Sequence, residues 1–192
     1  WLLSEEERIK MKLELYAHGK INLGLDVIGE RPDGYHEVKM IMQTVEVCDR
    51  LEFEDIDEDE IQLKSDAAFL PLDGDNLICK ACRLMKDEYD IKKGVRISLE
   101  KHIPVAAGMA GGSADAAVAL VAMNEIFALG LSRDRLMELG VKLGADVPYC
   151  IMKGTALSEG IGEKLTELAP MPDCYILIAK PGISVSTKEA YG

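Results

Sequence analysis

The stretch Ile103–Ala117, "IPVAAGMAGGSADAA", decides how this chain is read. Pro104 opens a turn, Gly108, Gly111 and Gly112 follow, and small residues from Ser113 onward predict a helix. Glycine lets backbone N–H groups come close to an anion, because no Cβ stands in the way. The first turn of a helix adds unpaired N–H donors and a partial positive charge. Together they make a phosphate cradle that needs no basic side chain. Two familiar phosphate loops do not fit. A P-loop has Lys and then Ser or Thr after its last glycine, whereas Ser113 and Ala114 follow Gly112. A dinucleotide fingerprint needs G-x-G-x-x-G, which the spacing of Gly108, Gly111 and Gly112 does not match. Taken alone, the same glycines also suit an ordinary tight turn ahead of a helix.

The bulk properties narrow the classes. The 192 residues carry a formal net charge of −12, so a general positive field cannot recruit a nucleotide, and a nucleic-acid-binding module is disfavoured. The length suits one domain, or one domain with part of another. No run of about 18 apolar residues is present to span a membrane, and "WLLSEEERIK" lacks the layout of a signal peptide. Five cysteines at irregular spacing make a poor disulfide framework. Cys79 and Cys82 form one CxxC inside a helical pattern without a second ligand pair, which reads as two buried small residues rather than zinc ligands. These features suit a cytoplasmic enzyme.

Structured sequence begins at Met11, and residues 1–10 read as an N-terminal extension. Alternation predicts strands over 12–18 and 22–28, a turn at "RPDGYH", and a further strand in "HEVKMIMQTVEV" with Val38, Met40, Met42 and Thr44 on one face. The acidic run from Glu52 to Glu60 lacks the glycine of a calcium loop and reads as a solvated strand end. Asp75 is expected to cap a helix ending near Tyr89, and "GVRISLEKHI" is a strand leading into the glycine loop. Beyond the loop, helices are expected from Ser113 to Leu129 and from the cap Ser132 to Gly144. "YILIAKP" reads as a buried strand, and Ser186 with Glu189 as the capping box of a last helix. Strands first and helices later argue an α+β fold.

Three more segments carry candidate chemistry. Lys20 and Asn22 lie within "LELYAHGKINLGLDV", Tyr35 and His36 follow the Pro-Asp-Gly turn of "RPDGYHEV", and Asp146 sits in "LGADVPYCI". Singly, each fits a turn, surface or capping residue. In this order, with the Pro-x-x-x-Gly-x-x-Gly-Gly-Ser loop between them, they resemble the GHMP kinase superfamily from Met11 to the end of the chain. Ala110 departs from the pattern where another glycine is frequent, as do His18 and Gly19 where many members have Pro-Ala. Neither departure replaces a reacting group.

The resemblance implies a GHMP kinase N-terminal, ATP-binding domain (ribosomal protein S5 domain 2-like) over 11–170. Residues 171–192 would then begin a truncated C-terminal domain. It also implies Mg²⁺-ATP as phosphate donor and, through "RPDGYHEV" and "GADVPYC", an alcohol of isoprenoid biosynthesis that carries a cytidine diphosphate. Pro104, Val105, Ala106, Ala107, Gly108, Met109, Ala110, Gly111, Gly112 and Ser113 would hold ATP, with Ser113 Oγ on a phosphate or the metal. Asp146 would accept or orient the hydroxyl proton, and Lys20 would pair with it and neutralise the transferred group. Asn22, Tyr35, His36, Thr187 and Tyr191 would bind substrate, the aromatic rings stacking on the base. Asp115, in the first helical turn, either caps or reaches the metal. A GHMP-type kinase for another alcohol, and a nucleotide-binding fragment without turnover, stay open.

Overall fold

Alternating apolar and polar residues along "HEVKMIMQTVEVCDRLEFEDI" build the central strand of a six-stranded sheet. The computed structural model describes residues 10–32, 34–68 and 70–181. The central strand, β2 (His36–Ile56), pairs along one edge with β1 (Lys12–Glu30). Its other edge is shared: Val38–Gln43 pair with β5 (Thr155–Gly160), and Arg50–Ile56 with β4 (Gly94–Glu100). β3 (Ile61–Ser65) lies parallel to β4, and β6 (Lys164–Glu167) antiparallel to β5. Val38, Met40 and Met42 face the core as read from sequence, and Ile56 is buried where the acidic segment leaves the sheet.

The two strands expected over 12–18 and 22–28 are one strand. β1 keeps its ladder across register shifts between His18 and Lys20, Asn22 and Gly24, and Val27 and Gly29. A bulge breaks the two-residue period of a sequence without ending the strand. The first shift has a functional result. Before the bulge the odd-numbered Leu13, Leu15 and Ala17 face inward; Gly19 is buried at the bulge, and the even-numbered Lys20 turns inward directly after it.

Among the described residues there are four helices: α1 (Leu77–Tyr89), α2 (Gly111–Ile126), α3 (Arg133–Val141) and α4 (Val147–Met152). α2 is apolar nearly all round, and its alanines at 114, 116, 117, 119 and 122 let it pack closely on β1, β2 and α1. Buried Asn124 holds the connection to α3 by accepting the Leu131 N–H at 2.9 Å. Ser132 caps α3 as expected, accepting from Arg135 N, and Cys79 and Cys82 are buried free thiols.

Several expected boundaries move. The cap of α1 is Asn76, not Asp75: its Oδ1 accepts from Ile78 N at 2.9 Å while Nδ2 donates to Pro71 O, so the incoming turn selects between adjacent capping residues. α2 opens two residues before Ser113, because Ala110 already takes the left-handed conformation that starts the helix. It ends at Ile126 rather than Leu129, where Ala128 (φ +49°) and Gly130 (φ +66°) turn the chain. α3 ends at Val141, and a tighter turn carries the chain to Gly144. Among the described residues "YILIAKP" is not a strand. It makes no ladder, and Tyr175 and Leu177 are fully exposed; an apolar run becomes a strand only where a sheet edge accepts its backbone. The last helix read from Ser186 and Glu189 lies outside the described residues.

Candidate active site

The inward turn at Lys20 creates a buried ammonium, 6% exposed, that must find oxygen partners. Nζ donates to Asn22 Oδ1 at 3.2 Å and lies 3.9 Å from Asp146 Oδ2. Asp146 stands at the start of α4 but spends no side-chain bond on capping, and its carboxylate is 31% exposed. One face of that carboxylate therefore meets Lys20 and another meets solvent.

α4 is fixed relative to Lys20 by a small polar knot. The buried Tyr149 hydroxyl donates to Gly154 O at 2.7 Å and lies 3.1 Å from Thr44 Oγ1, which in turn accepts from Gly154 N at 3.0 Å. Thr44 is the cross-strand partner of Lys20. Burial pushes the Tyr149 phenol up to about 12, so it stays a neutral donor at physiological pH. Asp146 and Lys20 thus hang from one rung of the sheet.

The glycine loop reaches the same rung. Lys20 N donates to Met109 O at 3.0 Å, and a Cβ on Gly19 would lie only 3.3 Å from Met109 Cε. The bulge that turns Lys20 inward also makes room for the loop. Ala106 (φ +53°), Gly108 (φ +69°) and Ala110 (φ +55°) give the loop its left-handed steps. For the two alanines this costs about 1–2 kcal/mol each. No side chain caps α2, so the N–H groups of its first turn remain directed at the loop. Ser113 Oγ lies 4.0 Å from the position a Cβ would take on Gly144, two residues before Asp146. Ser113 therefore faces the segment that carries the carboxylate.

Residues 103–113 line a cleft of about 430 Å³ whose other wall is Leu70, Pro71, Asn76 and Leu77. Sequence reasoning missed this wall. The start of α1 was its only trace, and nothing in "LPLDGDNL" shows that it faces the loop.

Not every candidate gathers at this point. Tyr35 is 58% exposed at the tip of the β1–β2 hairpin, where His36 pairs with Glu30. Thr44 is eight residues further along β2, up to about 26 Å at strand rise. Only an extended substrate would reach both ends. Thr187 and Tyr191 lie outside the described residues.

Asp115 does something sequence reasoning did not foresee. It is buried, and its Oδ2 accepts from Lys101 Nζ at 2.9 Å. Lys101 also pairs with fully buried Asp49, whose Oδ1 accepts from His102 N (2.6 Å) and Ile103 N (2.8 Å). Asp115 Oδ1 is buried without a hydrogen-bond partner among the described residues. Burial pushes the Asp115 carboxyl up to about 7, with Lys101 opposing and Asp49 adding to the shift. Because the folded protein holds this proton more tightly than the unfolded chain, the group's contribution is full below about pH 4. It is lost as pH rises towards 7. Asp115→Asn is expected to flatten that decline, seen as a smaller drop in Tm between pH 4.5 and 7; an unchanged profile would assign the titration elsewhere.

Ser113 Oγ and the Asp146 carboxylate are hard oxygen donors, the kind Mg²⁺ accepts while keeping water and phosphate for the rest of its shell. No cluster of three or more His, Cys, Asp or Glu suited to a metal exists among the described residues. The donor set fits an ion carried in on nucleotide phosphates.

Comparison with known proteins identifies the family. Residues 76–154 match the model for the GHMP kinases N terminal domain. The chain is 58% identical over 179 residues to 4-diphosphocytidyl-2-C-methyl-D-erythritol kinase of Lachnospira eligens, covering 93% of this chain and 62% of that protein. It is 53% identical to the protein of the same name from Clostridioides difficile, covering 93% and 61%. The chain thus spans a little over three-fifths of these relatives. A crystal structure of 4-(cytidine 5'-diphospho)-2C-methyl-D-erythritol kinase superimposes with a TM-score of 0.71 at 36% identity, over 82% of this chain and 55% of that one. Homoserine kinase from Cytophaga hutchinsonii gives a TM-score of 0.71 at 17% identity, over 99% and 61%, a likeness of fold alone.

Proposed function

The chain carries the N-terminal domain of the GHMP kinases, and on that premise we propose that it works in an ATP-dependent kinase acting on the 2-hydroxyl of 4-diphosphocytidyl-2-C-methyl-D-erythritol. One observation carries the reading: the Lys20–Asp146 pair, with a 3.9 Å separation, is stitched to the glycine loop through the bond from Lys20 N to Met109 O. A charge-neutralising ammonium, a carboxylate and a phosphate cradle are what phosphoryl transfer requires, since the reaction depends on alignment and charge more than on covalent help.

In this reading the N–H groups of Gly111, Gly112 and Ser113 hold the phosphates, and the apolar wall of Leu70, Pro71 and Leu77 receives the nucleoside. Asp146 accepts the hydroxyl proton of the alcohol on its solvent-facing side. Lys20 orients Asp146 and balances charge on the transferred group. Ser113 Oγ, with the Asp146 carboxylate, would hold Mg²⁺, which would neutralise phosphate charge. The cytidine lies towards the hairpin tip against Tyr35 and His36, with Asn22 between them and the reacting centre. The absence of disulfides among the five cysteines suits the cytoplasm.

Substrate-dependent ADP release by the purified protein tests the assignment. Release with the cytidylyl alcohol but not with homoserine or mevalonate supports it; equal release with all three, or with none, contradicts it. Stacking on a base is worth about 1–3 kcal/mol. Tyr35→Ala should therefore raise KM for the cytidylyl substrate by about 10- to 100-fold and leave Mg-ATP affinity unchanged. An equal loss of ATP affinity would make Tyr35 structural.

A further inference from the structure

Behind the phosphate cradle lies an Asp–Lys–Asp cluster that the reaction itself does not use. Its members come from three places in the fold: Asp49 from β2, Lys101 from just beyond the end of β4, and Asp115 from the second turn of α2. Asp49 Oδ1 takes the N–H groups of His102 and Ile103, the two residues before Pro104, and Oδ2 takes Lys101. The same ammonium reaches Asp115 on the far side of the loop. Gly111 closes over it. A Cβ there would lie 3.2 Å from Lys101 Nζ and 3.1 Å from Ile103 Cγ2.

Burying three charges opposes folding unless every one is paired. Here the pairing fastens the entry and the exit of the glycine loop to one carboxylate of the central strand. Resting on the ATP-binding reading above, we propose that Asp49 is a positioning residue of the phosphate cradle. Through two backbone N–H groups and Lys101 it fixes the span between Ile103 and Asp115, so the loop donors converge before a nucleotide arrives. Preorganised donors bind and stabilise phosphate charge without reorganising at the moment of reaction. Asp49 has no exposed surface and cannot touch a ligand, whereas Lys101 lines the cleft. An effect of Asp49 on nucleotide affinity must therefore pass through the loop.

The test is amide hydrogen exchange at His102, Ile103 and Ala114 in the wild type, Asp49→Asn and Asp115→Asn, with Mg-ATP Kd measured alongside. Asp49→Asn keeps the shape of the side chain and removes its charge. Exchange at His102 and Ile103 should quicken about tenfold or more, the size set by hydrogen bonds to a charged group, while the β2–β5 rungs keep their protection. Kd for Mg-ATP should rise by a similar factor, with KM for the alcohol unchanged. Asp115→Asn leaves the bonds of Asp49 intact and should loosen Ala114 alone, so it carries the comparison even if Asp49→Asn does not fold. Unchanged loop protection in the folded variants, or protection lost evenly across the sheet, would overturn the proposal. Selective loosening in a protein that binds no nucleotide would keep the clamp and overturn the ATP reading instead.

Discussion

Asp146→Asn should lower kcat by about 10²–10⁴-fold, the range a positioned proton acceptor contributes, with both KM values nearly unchanged. The expectation follows from the two faces of the carboxylate. One oxygen lies 3.9 Å from Lys20 Nζ, and the side chain is partly exposed to solvent and makes no capping bond. Asparagine fills the same volume at the head of α4, so the Tyr149–Thr44–Gly154 knot and the fold should persist. A loss confined to kcat marks an interaction made in the transition state. Steady-state kinetics on the folded variant reads this directly. A variant with near-normal kcat would remove Asp146 from the chemistry. One with raised KM alone would make it a binding residue.

The largest stability effect is expected at Lys101. Lys101→Met leaves Asp49 and Asp115 buried without their shared counter-charge, and removing one member of a buried ionic group costs about 3–5 kcal/mol. The side chains of Asp49 and Asp115 are almost wholly shielded from solvent, so water cannot take over the role of the ammonium. Denaturant unfolding should show the loss as a lower midpoint with an unchanged slope. Recovery is expected when Asp115→Asn is added, because one of the two stranded charges is then gone. A midpoint within experimental error of the wild type would mean that the cluster is not a coupled ionic unit.

The sequence made the glycine loop, the inward run of β2 and the capping of α3 legible, because each is decided by neighbours in the chain. Ser132 caps whatever helix follows it, and Val38, Met40 and Met42 share a face by pleat alone. The merging of two expected strands into β1 was hidden, since a bulge at Gly19 resets the two-residue period that reveals a strand. Lys20 and Asp146 were legible only through their resemblance to a family motif. Their pairing depends on a rung of the sheet that joins residues 24 apart with residues more than 100 apart. The Asp49–Lys101–Asp115 cluster was opaque for the same reason: three charged residues in separate elements look like surface residues until the fold brings them together. "YILIAKP" shows the converse, an apolar run whose strand character needs a partner edge that the described residues do not supply.

The most direct test of the central claim is ³¹P NMR of the reaction mixture after the protein has acted on Mg-ATP and 4-diphosphocytidyl-2-C-methyl-D-erythritol. A new phosphomonoester resonance at the 2-position is expected, formed in step with ADP and absent with Asp146→Asn. ADP formed with inorganic phosphate and no phosphomonoester, or a product phosphorylated at another hydroxyl, would contradict it.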